Sequence, residues 1–273
     1  PVVKKLEGGV VFDHVSYMAD DEDILRDVSF TVKPGQTVGI IGATGTGKST
    51  LMNLLCRFYD TTSGTVRVDG TDVKDMDLYS LRQNIGMAMQ DVFLFSDTIE
   101  GNIAYGRPDC SLEEVKWAAQ VANAEDFILD TPDGYDTIVG ERGMGLSGGQ
   151  KQRISLARAL LTDPAIIILD DTTSAVDMET ETKIQEALAH LPKKKTVFII
   201  AHRISSIKDA DLILVLNDGK IVEQGTHNEL LKKHGYYETV FTHQYGEFDK
   251  LKKSPEFAEY MRRQKRGGGY GKK

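Results

Sequence analysis

Apolar and polar positions along the chain change period several times, and the changes mark out the elements. Val10–Tyr17 and Val28–Val32 carry the alternation of half-buried strands, with the acidic turn Asp20–Asp23 between them. Thr37–Ile41 is a short apolar run that opens into a glycine-rich loop, and Lys48–Arg57 has helical spacing. Thr65–Val68 and Ile85–Gln90 read as further strands. From Ser111 to Leu161 the spacing is mostly helical, with Ser111 and Glu114 forming a capping box. Ala165–Leu169, Thr196–Ile200 and Leu212–Leu216 are continuous apolar runs of strand length, separated by helical stretches. Asp218-Gly219 reads as a hairpin turn, and Glu229–Gln244 as a helix broken near Gly235. Alternating β and α segments predict an α/β fold with a mostly parallel sheet and a helical insertion. The expected division is a discontinuous core over 8–94 and 164–245, a helical subdomain over 95–163, and a tail over 246–273.

Length and charge sharpen this division. The 273 residues are 40% hydrophobic and 27% charged, enough for a sizeable core. Net charge is −8, but residues 250–273 hold nine Lys/Arg against two Glu, so the rest of the chain stands at −15. An acidic body of this kind argues against nucleic acid as a partner. The basic tail, with Gly267, Gly268, Gly269 and Gly271, cannot bury a core and is expected to be mobile. Cys56 and Cys110 are too few for a disulfide framework, which suggests a reducing compartment. No run approaches the 18 or so apolar residues of a membrane span.

Gly42-Ala43-Thr44-Gly45-Thr46-Gly47-Lys48-Ser49 fits G-x-x-x-x-G-K-S/T and lies between a predicted strand and a predicted helix. Glycines there let successive backbone N–H groups turn onto phosphate oxygens, and the start of a helix adds a favourable dipole. Lys48 is expected to reach the β- and γ-phosphates, and the Ser49 hydroxyl to ligate Mg²⁺. The neighbouring Thr50 is counted with the nucleotide-binding residues. By itself the loop says only that a nucleotide phosphate binds. Ile166–Asp170 is a buried-strand pattern ending in a carboxylate, suited to hold the metal from a neighbouring strand.

Leu146-Ser147-Gly148-Gly149-Gln150, followed by Lys151-Gln152-Arg153, resembles the signature of ABC-type ATPases. The residues themselves read as a helix start, with Ser147 as N-cap and two glycines exposing N–H groups as a second anion site. The resemblance covers roughly 8–245. It implies a P-loop NTPase core, a mostly parallel sheet with an antiparallel β subdomain, and a helical subdomain, with ATP and Mg²⁺ as cofactors. It further implies that the signature contacts the γ-phosphate held by a second nucleotide-binding domain. Gln90 matches the glutamine that approaches Mg²⁺ and the attacking water. Ser174-Ala175-Val176-Asp177 resembles the D-loop, with Val176 where leucine is usual, and His202 matches the switch histidine. Val139–Gly143, with Arg142, resembles the segment that exporter members set against coupling helices of the membrane domain. Phe93-Leu94-Phe95, Thr98-Ile99, Asn102-Ile103 and Tyr105-Gly106 are also exporter-like. The implied whole is an exporter half at the cytoplasmic face of a membrane, with its membrane domain upstream of Pro1.

Two positions depart from the family pattern. Asp171 stands where active members carry the glutamate that acts as general base. Asp and Glu have similar acidity, but one methylene less retracts the carboxylate by roughly 1.5 Å. A misplacement of about 1 Å can cost roughly a hundredfold in rate. The expectation is a site that binds ATP and turns it over slowly, as in the degenerate half of a heterodimer whose partner supplies the glutamate. Two alternatives stay open. A small shift of the strand end would let Asp171 work, and an entirely non-hydrolytic clamp would contribute only its signature. Soluble ABC ATPases acting on DNA or ribosomes form a third class, disfavoured by the acidic body. The second departure is Ala19, at the position of the tyrosine that stacks on adenine in the family. Tyr17, two residues earlier, either substitutes for it or is an ordinary core aromatic.

Overall fold

The computed structural model describes residues 5–89, 91–140, 145–171 and 176–252. The chain divides into two compact units after His227. The first is built on two sheets. Strands β1 (Val10–Ala19), β2 (Glu22–Val32), β4 (Ser63–Val68) and β5 (Thr71–Asp72) form an antiparallel sheet in the order β2-β1-β4-β5. Strands β3 (Thr37–Ile41), β6 (Ile85–Ala88), β7 (Ile166–Asp170), β8 (Thr196–Ile200), β9 (Leu212–Asn217) and β10 (Lys220–Gly225) form the larger one. Its order is β10-β9-β3-β8-β7-β6, parallel throughout except for the β9–β10 hairpin. Every residue of β8 is buried, as expected of a strand covered on both faces. The fold is therefore α/β, as the alternation predicted.

Strand β2 begins earlier than the sequence suggested. Glu22 pairs with Ala19 and Asp23 with Met18, so the acidic stretch continues the ladder instead of interrupting it. Asp20 and Asp21 make the turn with φ of 49° and 63°, a left-handed pair matching a type I′ hairpin. Aspartate tolerates that conformation better than most side chains, which is why two acidic residues serve as a turn.

One hydrophobic cluster joins the sheets. It contains Phe12 and Phe30, stacked at 4.6 Å, with Leu51, Met52, Leu54 and Leu55 of α1 (Lys48–Leu55). Ile40, Ile168 and Phe198 of the larger sheet complete it. Helix α2 (Leu78–Gln83), capped by the Asp77 carboxylate, precedes β6.

The helical segment follows β6. It comprises α3 (Ile99–Ala104), α4 (Leu112–Val121), α5 (Glu125–Leu129) and α6 (Gly148–Leu161). Ser111 and Glu114 cap α4 reciprocally, as their spacing predicted. Helix α7 (Met178–Ala189) then links β7 to β8.

The second unit contains α9 (Tyr236–Lys252), preceded by α8 (His227–Lys232), which begins at the division. His234, at φ 53°, and Gly235 break the two apart, at the position read from sequence. Phe241 and Tyr245 stack one turn apart at 4.6 Å, and α9 runs on through Lys252. The helix runs past 246, the expected onset of the tail. Residues 253–273 lie outside the described residues. Among the described residues, no helix is long and apolar enough to cross a membrane.

Candidate nucleotide site

Strands β3, β8 and β7 are neighbours in the sheet and parallel, so their carboxyl ends open on one edge. Ligands bind at such edges in α/β sheets. The phosphate loop leaves β3, Asp170 ends β7 with Asp171 just beyond it, and His202 follows β8. The ladder fixes this meeting, since Asp170 pairs with Ile200 and the Asp171 N–H donates to the Ile200 carbonyl at 2.9 Å.

Two glycines are required within the loop. A Cβ on Gly42 would lie 2.3 Å from the Leu216 carbonyl oxygen, and Gly47 holds φ at 95° while its Cα faces Leu25. The backbone therefore approaches its neighbours more closely than a side chain permits. Thr46 donates its hydroxyl to the Ala43 carbonyl at 2.8 Å and is buried, whereas Thr44 and Gly45 are exposed at the rim. Thr50 is half-buried in α1.

Lys48 opens α1, is 7% exposed, and donates to the carbonyls of Gly42 and Ala43, both at 2.8 Å. Burial pulls its ammonium below the ordinary lysine value, and the charges of Asp170 and Asp171 oppose that shift. Beside it, the Ser49 hydroxyl donates to Asp170 Oδ2 at 3.0 Å. The donor set fits Mg²⁺ and a polyphosphate. A hydroxyl and a carboxylate are hard oxygen ligands, and an ammonium has three protons, two of which the loop carbonyls take.

Asp171 adopts φ 46°, in the left-handed region. His202 is exposed two residues beyond β8. Asp177 caps α7, accepting from the Thr180 N–H at 2.9 Å and the Thr180 hydroxyl at 2.8 Å. Those hydrogen bonds hold its carboxyl below the usual carboxylate range. Gln90, Ser174 and Arg142 lie outside the described residues, and β6 ends at Ala88, short of the expected Gln90.

The Leu146–Gln150 segment belongs to the helical part. Ser147 caps α6, with its hydroxyl 3.2 Å from the Gln150 N–H and the Gln150 side chain returning to the Ser147 N–H at 2.9 Å. Gly148 is exposed and Gly149 half-buried in the first turn. Arg153 fastens this turn, donating to the carbonyls of Gly149 and Asn123 and lying over the Phe127 ring.

Tyr17 pairs with Leu25, the residue whose side chain faces Gly47. It packs against the core cluster, with its ring 5.5 Å from that of Tyr59. It is thus part of the core margin close to the loop.

The family model for the ABC transporter matches residues 25–174. The chain belongs to the ABC transporter family. It is 54% identical over 244 residues to the ABC transporter ATP-binding protein YknU of Bacillus subtilis (strain 168), covering 89% of this chain and 42% of that one. It is 53% identical over 240 residues to YgaD of the same organism, named as a multidrug export ATP-binding/permease protein, covering 87% and 41%. A solved bacterial Atm1-family ABC exporter with ATP bound superposes with a TM-score of 0.85 at 44% identity, over 89% of this chain and 43% of its own. This ABC transporter chain therefore spans less than half the length of these relatives.

Sequence reasoning missed one group that shapes this ABC domain. Arg158 of α6 donates to the carbonyls of Asn102 and Phe93, at 2.7 and 3.0 Å, and to Asn102 Oδ1 at 3.1 Å. Its guanidinium lies over the Phe95 and Tyr105 rings, and burial lowers its pKa. Fully buried Asn102 donates to the Phe95 carbonyl and accepts from the Phe95 N–H. The exporter-like residues 93–105 are thus tied to the signature helix, with Phe93 and Tyr105 left exposed. Nothing in the local spacing links Arg158 to Asn102; only the fold does.

Proposed function

We propose that this chain is the ATP-binding and hydrolysing domain of an ABC exporter, acting at the cytoplasmic face of a membrane. The observation that carries the reading is the Ser49–Asp170 hydrogen bond at 3.0 Å beside the buried Lys48 ammonium. Lys48 and the N–H groups of Gly42–Thr50 hold the triphosphate, while Ser49, Asp170 and Gln90 hold Mg²⁺. The metal, when bound, neutralises charge on the phosphate oxygens. Asp171 orients and deprotonates the attacking water, and His202 contacts the terminal phosphate. Leu146–Gln150, with Ser174 and Asp177, face nucleotide held by a second domain of the same kind. A membrane domain of the same polypeptide docks its coupling helices on the helical part, over 95–163. The core over 8–94 and 164–245 carries the nucleotide.

The test is equilibrium binding of ATP with Mg²⁺, followed by steady-state hydrolysis. Micromolar to millimolar binding that Lys48→Ala abolishes is the expected result. Binding unaffected by that substitution refutes the site.

Asp171 favours a second, finer reading, in which this site hydrolyses slowly and the chain pairs with a different one. Its carboxylate is a methylene short, and its backbone is held to Ile200 in a left-handed conformation. The hydrogen bond to Ile200 ties the strand end to β8. Site-specific trapping in the assembled transporter distinguishes the readings, with ATP retained at this site for slow hydrolysis and ADP for full turnover.

A further inference from the structure

Helix α7 carries a buried carboxylate that the nucleotide site does not use. Glu181 has a side chain only 5% exposed, and its Oε2 accepts from Arg203 Nη2 at 3.1 Å. One turn later on the same helix face, Gln185 Nε2 donates to the Ser206 carbonyl at 3.0 Å. Ile184 and Leu188 share that buried face, so α7 has little freedom to rotate. Both polar contacts grip one segment, the turn of 3₁₀ helix at Ile204–Ser206 that follows His202.

We propose that Glu181, aided by Gln185, is a positioning residue for His202. The inference rests on the nucleotide-site reading above, in which His202 faces the terminal phosphate. His202 is exposed and stands two residues beyond β8. Arg203 is its immediate neighbour, so a charge-assisted hydrogen bond from Arg203 to a buried carboxylate fixes the peptide that carries His202. Gln185 fixes the far end of the same turn. Burying Glu181 costs desolvation, and leaving its Oε1 without a hydrogen bond adds to that cost, which a purely structural contact gains little by bearing. The same helix starts at Asp177, so α7 joins the Asp177 segment to the His202 segment as one rigid piece.

The experiment compares the wild-type chain with Glu181→Gln, Arg203→Gln, the double variant, and Gln185→Met. Amide hydrogen exchange is read at Ser206, Ile207 and Lys208, whose N–H groups close the turn on Arg203 and Ile204. Each single loss at the Glu181–Arg203 pair is expected to speed exchange there by about tenfold, with Leu188 unchanged. The double variant is expected to be no faster than either single. Gln185→Met is expected to act in the same direction and less strongly. Turnover is expected to fall with KM for ATP unaltered. Unchanged exchange at 206–208, or equal acceleration at Leu188, overturns the proposal. Faster exchange with unaltered kcat overturns the positioning role. Failure of the wild-type chain to bind Mg-ATP instead refutes the nucleotide-site reading, and the exchange data still decide whether the brace exists.

Discussion

The Ser49 hydroxyl donates to Asp170 Oδ2 at 3.0 Å, although 121 residues separate the two. Each lies where a different strand meets the sheet edge, and the pair needs both the loop and the β7 register. If the two oxygens hold Mg²⁺, Ser49→Ala removes one hard ligand and leaves the phosphate cradle intact. Affinity for ATP with Mg²⁺ is then expected to fall about tenfold, or ~1.4 kcal/mol, while affinity in chelator stays within about twofold. Titration calorimetry under both conditions reads this. Equal losses in both would show that Ser49 acts on the phosphates and not on the metal.

Lys48 is the buried charge of the site, so its removal separates binding from folding. Lys48→Met is isosteric along most of the stem and removes the hydrogen bonds to the Gly42 and Ala43 carbonyls. Its melting temperature is expected to lie within a few degrees of wild type. Saturating Mg-ATP, at about a hundred times Kd, stabilises a binding-competent chain by roughly 2.7 kcal/mol. The wild-type chain should therefore melt several degrees higher with nucleotide, and the Lys48→Met chain should not move. A nucleotide-induced shift in the variant would place the phosphates elsewhere.

Local backbone geometry was more legible in the sequence than the long-range contacts that join it. Gly42–Ser49 and Ser147–Gln150 are contiguous, and each encodes its backbone geometry within a few residues. The α/β class followed from short apolar runs such as Ile166–Leu169 and Val197–Ile200 alternating with helical segments. The first half of β2 was hidden because Glu22 and Asp23 are poor strand formers. They sit at the exposed end of a hairpin, where pairing with Ala19 and Met18 decides the outcome. The Arg158–Asn102 and Glu181–Arg203 contacts were invisible for another reason. Each joins residues 22 or more apart in side-chain geometry that no periodicity reports.

Asp171 poses a trade between reach and backbone strain. Glutamate would extend the carboxylate by roughly 1.5 Å toward the loop. Yet φ is 46° here, a conformation that aspartate adopts more readily than longer side chains. Asp171→Glu is expected to raise turnover by about tenfold or more and to lower stability by up to ~1 kcal/mol. Single-turnover hydrolysis in the assembled transporter and a denaturant titration of this chain read the two effects separately. Unchanged turnover would sink the claim that the missing methylene limits this site.

Asp177 gives α7 a pH-dependent cap. Its carboxyl is held below the usual range, first by the Thr180 N–H and then by the Thr180 hydroxyl. A depressed folded-state pKa means the unfolded chain takes up the proton first as the pH falls. The contribution is therefore complete above the unfolded value, near 4, and is lost as the pH drops through the lower folded value. Asparagine caps helices about as well as aspartate but carries no charge to meet the helix dipole. Asp177→Asn should consequently be less stable than wild type at pH 6, with the gap closing toward pH 3. Glu114 is also held low, chiefly by Ser111, and is unaltered in the variant, so its acid dependence cancels in the comparison. Urea midpoints measured across that range decide the matter. A gap that persists unchanged to pH 3 would mean that the Asp177 charge does not support the helix.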